Sequence, residues 1–131
     1  MTPMSAGWAL YAAGFRGYRI PTMIAIGQAE SALDERAINL NTHDPQSPAF
    51  LSLDLGVWQI NTYWWVDQRY RVQQLFDPTF NAAVAWEVFT KSGGTNSAPV
   101  AGYKAWNTYR INRHTPFLSA AVKTWDQMGQ P

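Results

Sequence analysis

Apolar residues recur at helical spacing over most of the chain, and stretches rich in polar residues, glycine or proline interrupt them. Pro3, Pro78 and Pro116 each stand where a helix can begin, because proline is favoured at the first helical position. Asp77 precedes one of these prolines as a cap. The pattern predicts helices over residues 2–11, 21–33, 78–92, 99–109 and 115–128, with one or two short helices over 62–76.

Two segments do not follow the helical pattern. Residues 39–48 are polar and carry two prolines, which indicates a loop or a small hairpin. Residues 53–61 predict little or no sheet. The expected fold class is therefore mainly α: one helical domain, residues 1–131, with a small loop or β-hairpin region beside it.

Glu30 interrupts the apolar face of the second predicted helix. Met23 and Ile26 precede it by seven and four positions and Leu33 follows it by three, so these four residues share one face. Desolvation there would raise the pKa of the Glu30 carboxyl group and favour the protonated form that a general acid needs. The alternative is that Glu30 marks a frayed helix end and points into water.

Asp54 opens the run DLGVWQIN, which places a carboxylate, an amide pair and an aromatic ring on a short extended or turning segment. Gly56 suits a tight turn within it. Glycoside hydrolysis uses a protonated carboxyl group together with a carboxylate. The carboxylate attacks the sugar, stabilises positive charge or activates water. Taken alone, an aspartate two residues ahead of a glycine is more typical of a turn or capping aspartate.

Composition limits the remaining possibilities. A chain of 131 residues with 47% apolar content can bury the core of a single domain. It contains no cysteine, which excludes a disulfide scaffold, a thiol nucleophile and cysteine metal sites. A net charge of +1 without a basic run does not favour nucleic acid. His43 and Asp44 are expected at the surface, and His114 is expected to flank a helix N-terminus or lie at the surface; none of the three is given a role.

The N-terminal segment lacks the basic and apolar regions of a signal peptide, and no stretch reaches the length of a membrane span. We expect a protein that is made in the cytoplasm and does not insert into membranes. A phage enzyme released through a holin pore or carried on a virion fits this, and so does a domain of a larger protein.

Seven tryptophans and six tyrosines give the chain many rings that can stack on sugars. Three tryptophans in helix-like patterns are expected in the core, namely Trp8, Trp86 and Trp125. The cluster beside the polar run is expected in a glycan cleft, and it comprises Trp58, Tyr63, Trp64 and Trp65.

The order and spacing of several motifs resemble the active-site half of a c-type lysozyme, although that family is disulfide-bonded. The matching motifs are Glu30-Ser31, Ala37-x-Asn39, Asp54-x-Gly56-x-x-Gln59-Ile60-Asn61 and Trp64-Trp65. The resemblance implies an α+β lysozyme-like fold, with Glu30 as general acid and Asp54 as nucleophile or charge stabiliser. It also implies that the sugar chain contacts Gln59, Asn61, Trp64 and Trp65.

The second half of the chain is similar to lytic transglycosylase and phage lysozyme-like domains. The similarity lies in Phe76-Asp77-Pro78, Asn81-Ala82-Ala83, the 92–95 turn and Ala101-x-Tyr103-Lys104-x-Trp106-x-x-Tyr109. In those domains a tyrosine commonly faces the catalytic glutamate, and the resemblance assigns this position to Tyr109, with Tyr103 second. Core or interface packing is the alternative for both tyrosines.

These observations predict a monomeric enzyme that cleaves the β-1,4 bond between N-acetylmuramic acid and N-acetylglucosamine in peptidoglycan glycan strands. No metal or organic cofactor is expected. The alternatives are a lytic transglycosylase that releases 1,6-anhydro products and a non-catalytic glycan-binding module. Chitin oligomers are an alternative substrate.

Overall fold

The computed structural model describes residues 1–42, 51–62 and 72–131. Six α-helices and a small antiparallel sheet form this part of the chain, which confirms the expected mainly α, α+β fold. The helices are α1 (Pro3–Ala13), α2 (Arg19–Ser31), α3 (Pro78–Lys91), α4 (Val100–Tyr103), α5 (Asn107–Arg110) and α6 (Leu118–Gln127). Two short 3₁₀ helices cover Val72–Phe76 and Thr115–Phe117.

Helix α2 is the central element, and it contacts both α1 and α6. Every residue from Ile20 to Gly27 is buried, so the helix is covered on all sides. It begins at Arg19 rather than Pro21, and it ends at Ser31 because Ala32 adopts a left-handed conformation. Leu33 is buried but lies beyond the helix, which corrects the prediction that it continues the face of Glu30.

The caps of α1 and α3 follow the sequence pattern. The Thr2 side chain accepts a hydrogen bond from the Ser5 backbone N–H, and Pro3 is the first helical residue. The Asp77 carboxylate accepts from the N–H groups of Thr79 and Phe80 at the start of α3. Such caps satisfy N–H groups that have no partner inside the helix.

The single helix expected over 99–109 is wrong, since α4 and α5 divide that segment.

The sheet has three strands in the order β1 (Ile38–Thr42), β2 (Leu51–Leu55) and β3 (Ile60–Asn61). Asp54 pairs with Asn39 of β1 on one side and with Asn61 of β3 on the other. Residues 53–61, for which the sequence pattern predicted little or no sheet, thus contribute to two short strands of a small sheet. Directly paired residues project to the same face, so the register aligns these three polar side chains in one row.

A buried asparagine joins α3 to the turn between β2 and β3. The Asn81 side chain accepts from the Trp58 backbone N–H and donates to the carbonyl oxygens of Leu55 and Leu75. Gly56 has a φ of 77°, and a β-carbon there would collide with the Asn81 amide and the Leu75 carbonyl. Only glycine combines a favourable positive φ with the absence of a β-carbon, which accounts for the glycine two residues after Asp54.

Two tryptophans lie where the sequence pattern did not predict them. Trp58 is fully buried, whereas Trp8 is 46% exposed, so the expected locations of these two tryptophans are reversed. His114 flanks the 3₁₀ helix Thr115–Phe117, which is one of its two expected positions, and it is buried and stacks on Tyr109. In the part of the chain that the structure describes, we find no helix with the length and apolarity of a membrane span.

Candidate active site

A cavity of about 300 Å³ opens between the end of α2 and the sheet. The two predicted catalytic carboxylates, Glu30 and Asp54, both line it. Three polar residues also line it: Asn41 of β1, Asn61 of β3, and Gln59 of the turn between β2 and β3. The opposite wall is formed by residues around the start of α5, including Trp106 and Asn107. The fold thus brings residues from both halves of the chain to one site.

Glu30 lies in the last turn of α2, where the helix emerges from the core. The neighbouring Ser31 hydroxyl donates to the Val57 carbonyl oxygen at 2.8 Å and to the Gly27 carbonyl oxygen at 3.2 Å. The first bond fixes the end of α2 against the segment that follows Asp54. The serine of the Glu-Ser motif therefore has a structural explanation in this chain.

Burial raises the pKa of the Glu30 carboxyl group to about 7. This net value also includes the hydrogen bond from Thr108, which lowers the pKa, the negative charge of Asp54, which raises it, and the positive charge of Arg113, which lowers it. Desolvation is the largest of these effects, because a charged carboxylate loses its hydration in the cavity. Near neutral pH, Glu30 can hold a proton and also release one.

Asp54 lies in β2, and two asparagine side chains hold its carboxylate. Asn41 Nδ2 donates to Oδ2 at 2.6 Å, and Asn61 Nδ2 donates to Oδ1 at 2.9 Å. Asn61 is the direct partner across the β2–β3 pair, and Asn41 is the diagonal neighbour in β1. Both oxygens of Asp54 thus face amide donors that complement a negative charge.

Gln59 lines the cavity but is only 7% exposed. Its Oε1 accepts from Asn39 Nδ2 at 2.5 Å, and its Nε2 donates to the Gly56 carbonyl oxygen at 2.9 Å. These bonds join β1 to the turn after β2. A glutamine held in this way supports the cavity wall through its backbone and side-chain contacts.

Tyr109, the predicted partner of Glu30, lines a separate cavity together with Tyr103 and His114. The residue that reaches Glu30 from this region is Thr108, whose hydroxyl donates to Glu30 Oε1 at 2.9 Å. Trp64 and Trp65, the predicted sugar contacts, lie outside the described residues.

Sequence reasoning missed Asn41 and Thr108. Asn41 had a detectable signal, since Asn39 and Asn41 alternate with apolar residues as one face of a strand requires. Thr108 had none, because 78 residues separate it from Glu30. Within the described ranges, no three His, Asp or Glu side chains gather as a metal site would require.

A family model described as a lysozyme-like domain matches residues 8–108 of this chain. The match covers most of the chain, and the protein therefore belongs to the lysozyme-like domain family, as the motifs predicted. Membership indicates a glycosidase or a lytic transglycosylase that acts on peptidoglycan. A comparison with curated proteins found no significant match.

Proposed function

We propose that this protein is a muramidase that hydrolyses the β-1,4 bond between N-acetylmuramic acid and N-acetylglucosamine. One observation carries the proposal: the pKa of Glu30 is raised to about 7 in a cavity that it shares with Asp54. Glycoside hydrolysis needs this pairing of a protonated carboxyl group with a carboxylate. The peptidoglycan-acting family supplies the substrate class.

In the first step, Glu30 donates its proton to the glycosidic oxygen as the bond to the anomeric carbon breaks. Protonation turns the departing sugar oxygen into a neutral hydroxyl group, so no alkoxide has to leave. Glu30 is then a carboxylate and can accept a proton from the incoming water. With a pKa near 7, neither transfer is strongly unfavourable at neutral pH.

Asp54 is proposed to stabilise the positive charge that develops on the sugar ring. Its two oxygens accept hydrogen bonds from Asn41 and Asn61, which fix the orientation of the carboxylate. An oxygen that already accepts a charge-assisted hydrogen bond is a weaker nucleophile, because those bonds must lengthen as its charge is lost. This arrangement favours charge stabilisation over covalent attack.

The same arrangement supports a second candidate function, a lytic transglycosylase. If Asp54 does not attack, the sugar cation can be captured by the C6 hydroxyl group of its own muramic acid residue. Glu30 would accept the hydroxyl proton, and the product would be a 1,6-anhydro sugar. The two candidates therefore differ only in the nucleophile that follows the common first step.

The test is to incubate purified peptidoglycan with the protein and identify the released muropeptides by mass spectrometry. Reducing-end products from the unmodified protein would establish hydrolysis, and 1,6-anhydro products would establish transglycosylation. Glu30→Gln should lower either activity by about 10²- to 10⁴-fold, which is the usual contribution of general acid catalysis. Glu35→Gln removes a carboxylate elsewhere in the chain, and we expect it to retain full activity.

Absence of products from the unmodified protein, combined with binding to insoluble peptidoglycan, would contradict the proposal and support a glycan-binding module. Full activity in Glu30→Gln would contradict the assignment of the acid. Soluble N-acetylglucosamine oligomers should be tested in parallel, because cleavage of these oligomers alone would identify chitin as the substrate class.

A further inference from the structure

Thr108 is the one described residue outside α2 and the sheet for which the structure gives a hydrogen bond to the Glu30 carboxyl group. It lies in α5, is 9% exposed, and its Oγ1 donates to Glu30 Oε1 at 2.9 Å. A buried hydroxyl with a carboxyl acceptor at this distance makes a well-formed hydrogen bond. The contact joins the C-terminal region directly to the group that we propose as the acid.

Two tryptophans hold α5 in place relative to α2. Trp58 Nε1 donates to the Met23 carbonyl oxygen of α2 at 2.9 Å, and Trp106 Nε1 donates to the Trp58 carbonyl oxygen at 2.8 Å. Trp106 immediately precedes α5, and both rings are buried. The hydroxyl of Thr108 is therefore attached to a rigid support, so its distance from Glu30 is determined by the core.

We propose that Thr108 is a positioning residue that orients the Glu30 carboxyl group and leaves Oε2 as the oxygen that holds and transfers the proton. In a neutral carboxyl group, the carbonyl oxygen accepts hydrogen bonds and the hydroxyl oxygen donates one. A hydroxyl that donates to Oε1 selects Oε1 as the carbonyl oxygen. The inference deepens the proposed function, since it rests on Glu30 as the acid.

The same hydrogen bond affects how readily Glu30 gives up its proton. A donor to Oε1 stabilises the carboxylate and so lowers the pKa that burial raises. The charged groups that also act on Glu30 are Asp54 of β2, which raises the pKa, and Arg113, which lowers it. Thr108 is the uncharged contributor, and it can be removed without changing the net charge of the site.

The experiment measures the Glu30 titration by ¹³C NMR of the side-chain carboxyl carbons, with the signal assigned by its loss in Glu30→Gln. Thr108→Val keeps the shape of the side chain and removes the hydroxyl, so the Glu30 pKa should rise by about one pH unit. Thr108→Ser keeps the hydroxyl and should restore the original value. Thr90→Val makes the same chemical change at an exposed position on α3 and should have no effect.

The pH dependence of kcat/KM provides a second readout. Activity should fall as pH rises through the Glu30 pKa, and this alkaline limb should move upward in Thr108→Val and return in Thr108→Ser. If Thr108 had a purely structural role, its replacement would lower the free energy of unfolding and leave the alkaline limb of the pH profile unmoved. If Thr108→Val does not fold, Thr108→Ala supplies the same comparison.

An unchanged Glu30 titration in a folded Thr108→Val or Thr108→Ala variant would overturn the inference. The NMR titration does not depend on turnover, which separates the two proposals. A shifted titration with no product from the unmodified protein would contradict the proposed function and leave the control of the Glu30 proton by Thr108 established.

Discussion

The two sides of the cavity hold their carboxylates in different ways. On the helical side, Glu30 follows the buried stretch Ile20–Gly27 of α2 and accepts a hydrogen bond from a neutral donor, the Thr108 hydroxyl. On the sheet side, Asp54 is half-buried and meets two amide donors, one from each neighbouring strand. The helix supplies desolvation, whereas the sheet supplies hydrogen bonds at regular spacing.

The difference shows how one small domain can give two neighbouring carboxyl groups different chemical roles. Burial penalises the charged form of Glu30, because the carboxyl group loses part of its hydration where α2 leaves the core. Asp54 receives its donors from strand register, since residues opposite and diagonal to it project to the same face. Each role follows from the type of secondary structure that carries the residue.

The largest effect is expected from removing the charge on the sheet side. Asp54→Asn should lower kcat by about 10²- to 10⁴-fold, because an amide cannot offset positive charge on the sugar ring. The change is measured from initial rates of muropeptide release. Asp34→Asn, at an exposed aspartate outside the cavity, should retain full activity.

An unchanged rate in Asp54→Asn would contradict the contrast between Glu30 and Asp54, because Asp54 would then have no part in the chemistry. Together with 1,6-anhydro products, that result would show that the substrate supplies its own nucleophile and that Glu30 alone carries the reaction.

A stability effect is expected on the helical side. The pKa of Glu30 is about 7 when folded and near 4.5 when unfolded, so its contribution to stability is complete below pH 4.5 and is lost as pH rises through 7. Glu30→Gln stays neutral, and above pH 7 it should be more stable than the unmodified protein by roughly 1 to 3 kcal/mol. At pH 4 the two should be similar.

Urea denaturation at pH 4 and pH 8 measures this difference. Glu35→Gln corrects for the general effect of removing one negative charge. A Glu30→Gln variant that is no more stable at pH 8 than at pH 4, relative to the unmodified protein, would show that Glu30 is solvated and would remove the contrast with Asp54.

A smaller effect is expected from the donors of Asp54. Asn61→Ala should reduce kcat by about tenfold, since it removes one hydrogen bond to the carboxylate and leaves the Asn41 bond in place. In the Asp54→Asn background the same substitution should cost much less, because the carboxylate that it positions is gone. Equal losses in both backgrounds would mean that Asn61 acts on the sugar instead.

Much of the site could be predicted from sequence, because its motifs are local. Glu30 precedes a serine that fixes the helix end, and Asp54 precedes a glycine that the Asn81 side chain requires. Such constraints act over a few residues and leave a fixed spacing. The contact between Thr108 and Glu30 joins distant parts of the chain, and no short-range pattern records it.

The tryptophans show a second limit of the sequence pattern. Trp8 has a helix-like spacing but lies on the exposed side of α1, and Trp58 has polar neighbours but is fully buried. Burial of Trp58 depends on Met23 and Trp106, which accept from and donate to it across the fold. Neighbouring residues in sequence do not reveal such partners. The helix starts with a local cap, at Pro3 and Pro78, were predicted correctly, whereas the start of α2 at Arg19 and the division of residues 99–109 were not.

Gly27 lies one turn before Glu30 and faces the segment that leads out of the sheet. A β-carbon at this position would lie 3.1 Å from Trp58 Nε1 and 3.3 Å from Val57 Cγ1, which is tighter than ordinary packing. A single methyl group at Gly27 would thus push the helix that carries the acid away from the turn after Asp54. In glycosidases, a carboxyl separation of about 5 Å gives retention and one of roughly 6.5 to 9.5 Å gives inversion. The missing side chain of Gly27 is therefore one determinant of how closely the helix that carries the acid approaches the strand that carries its partner carboxylate.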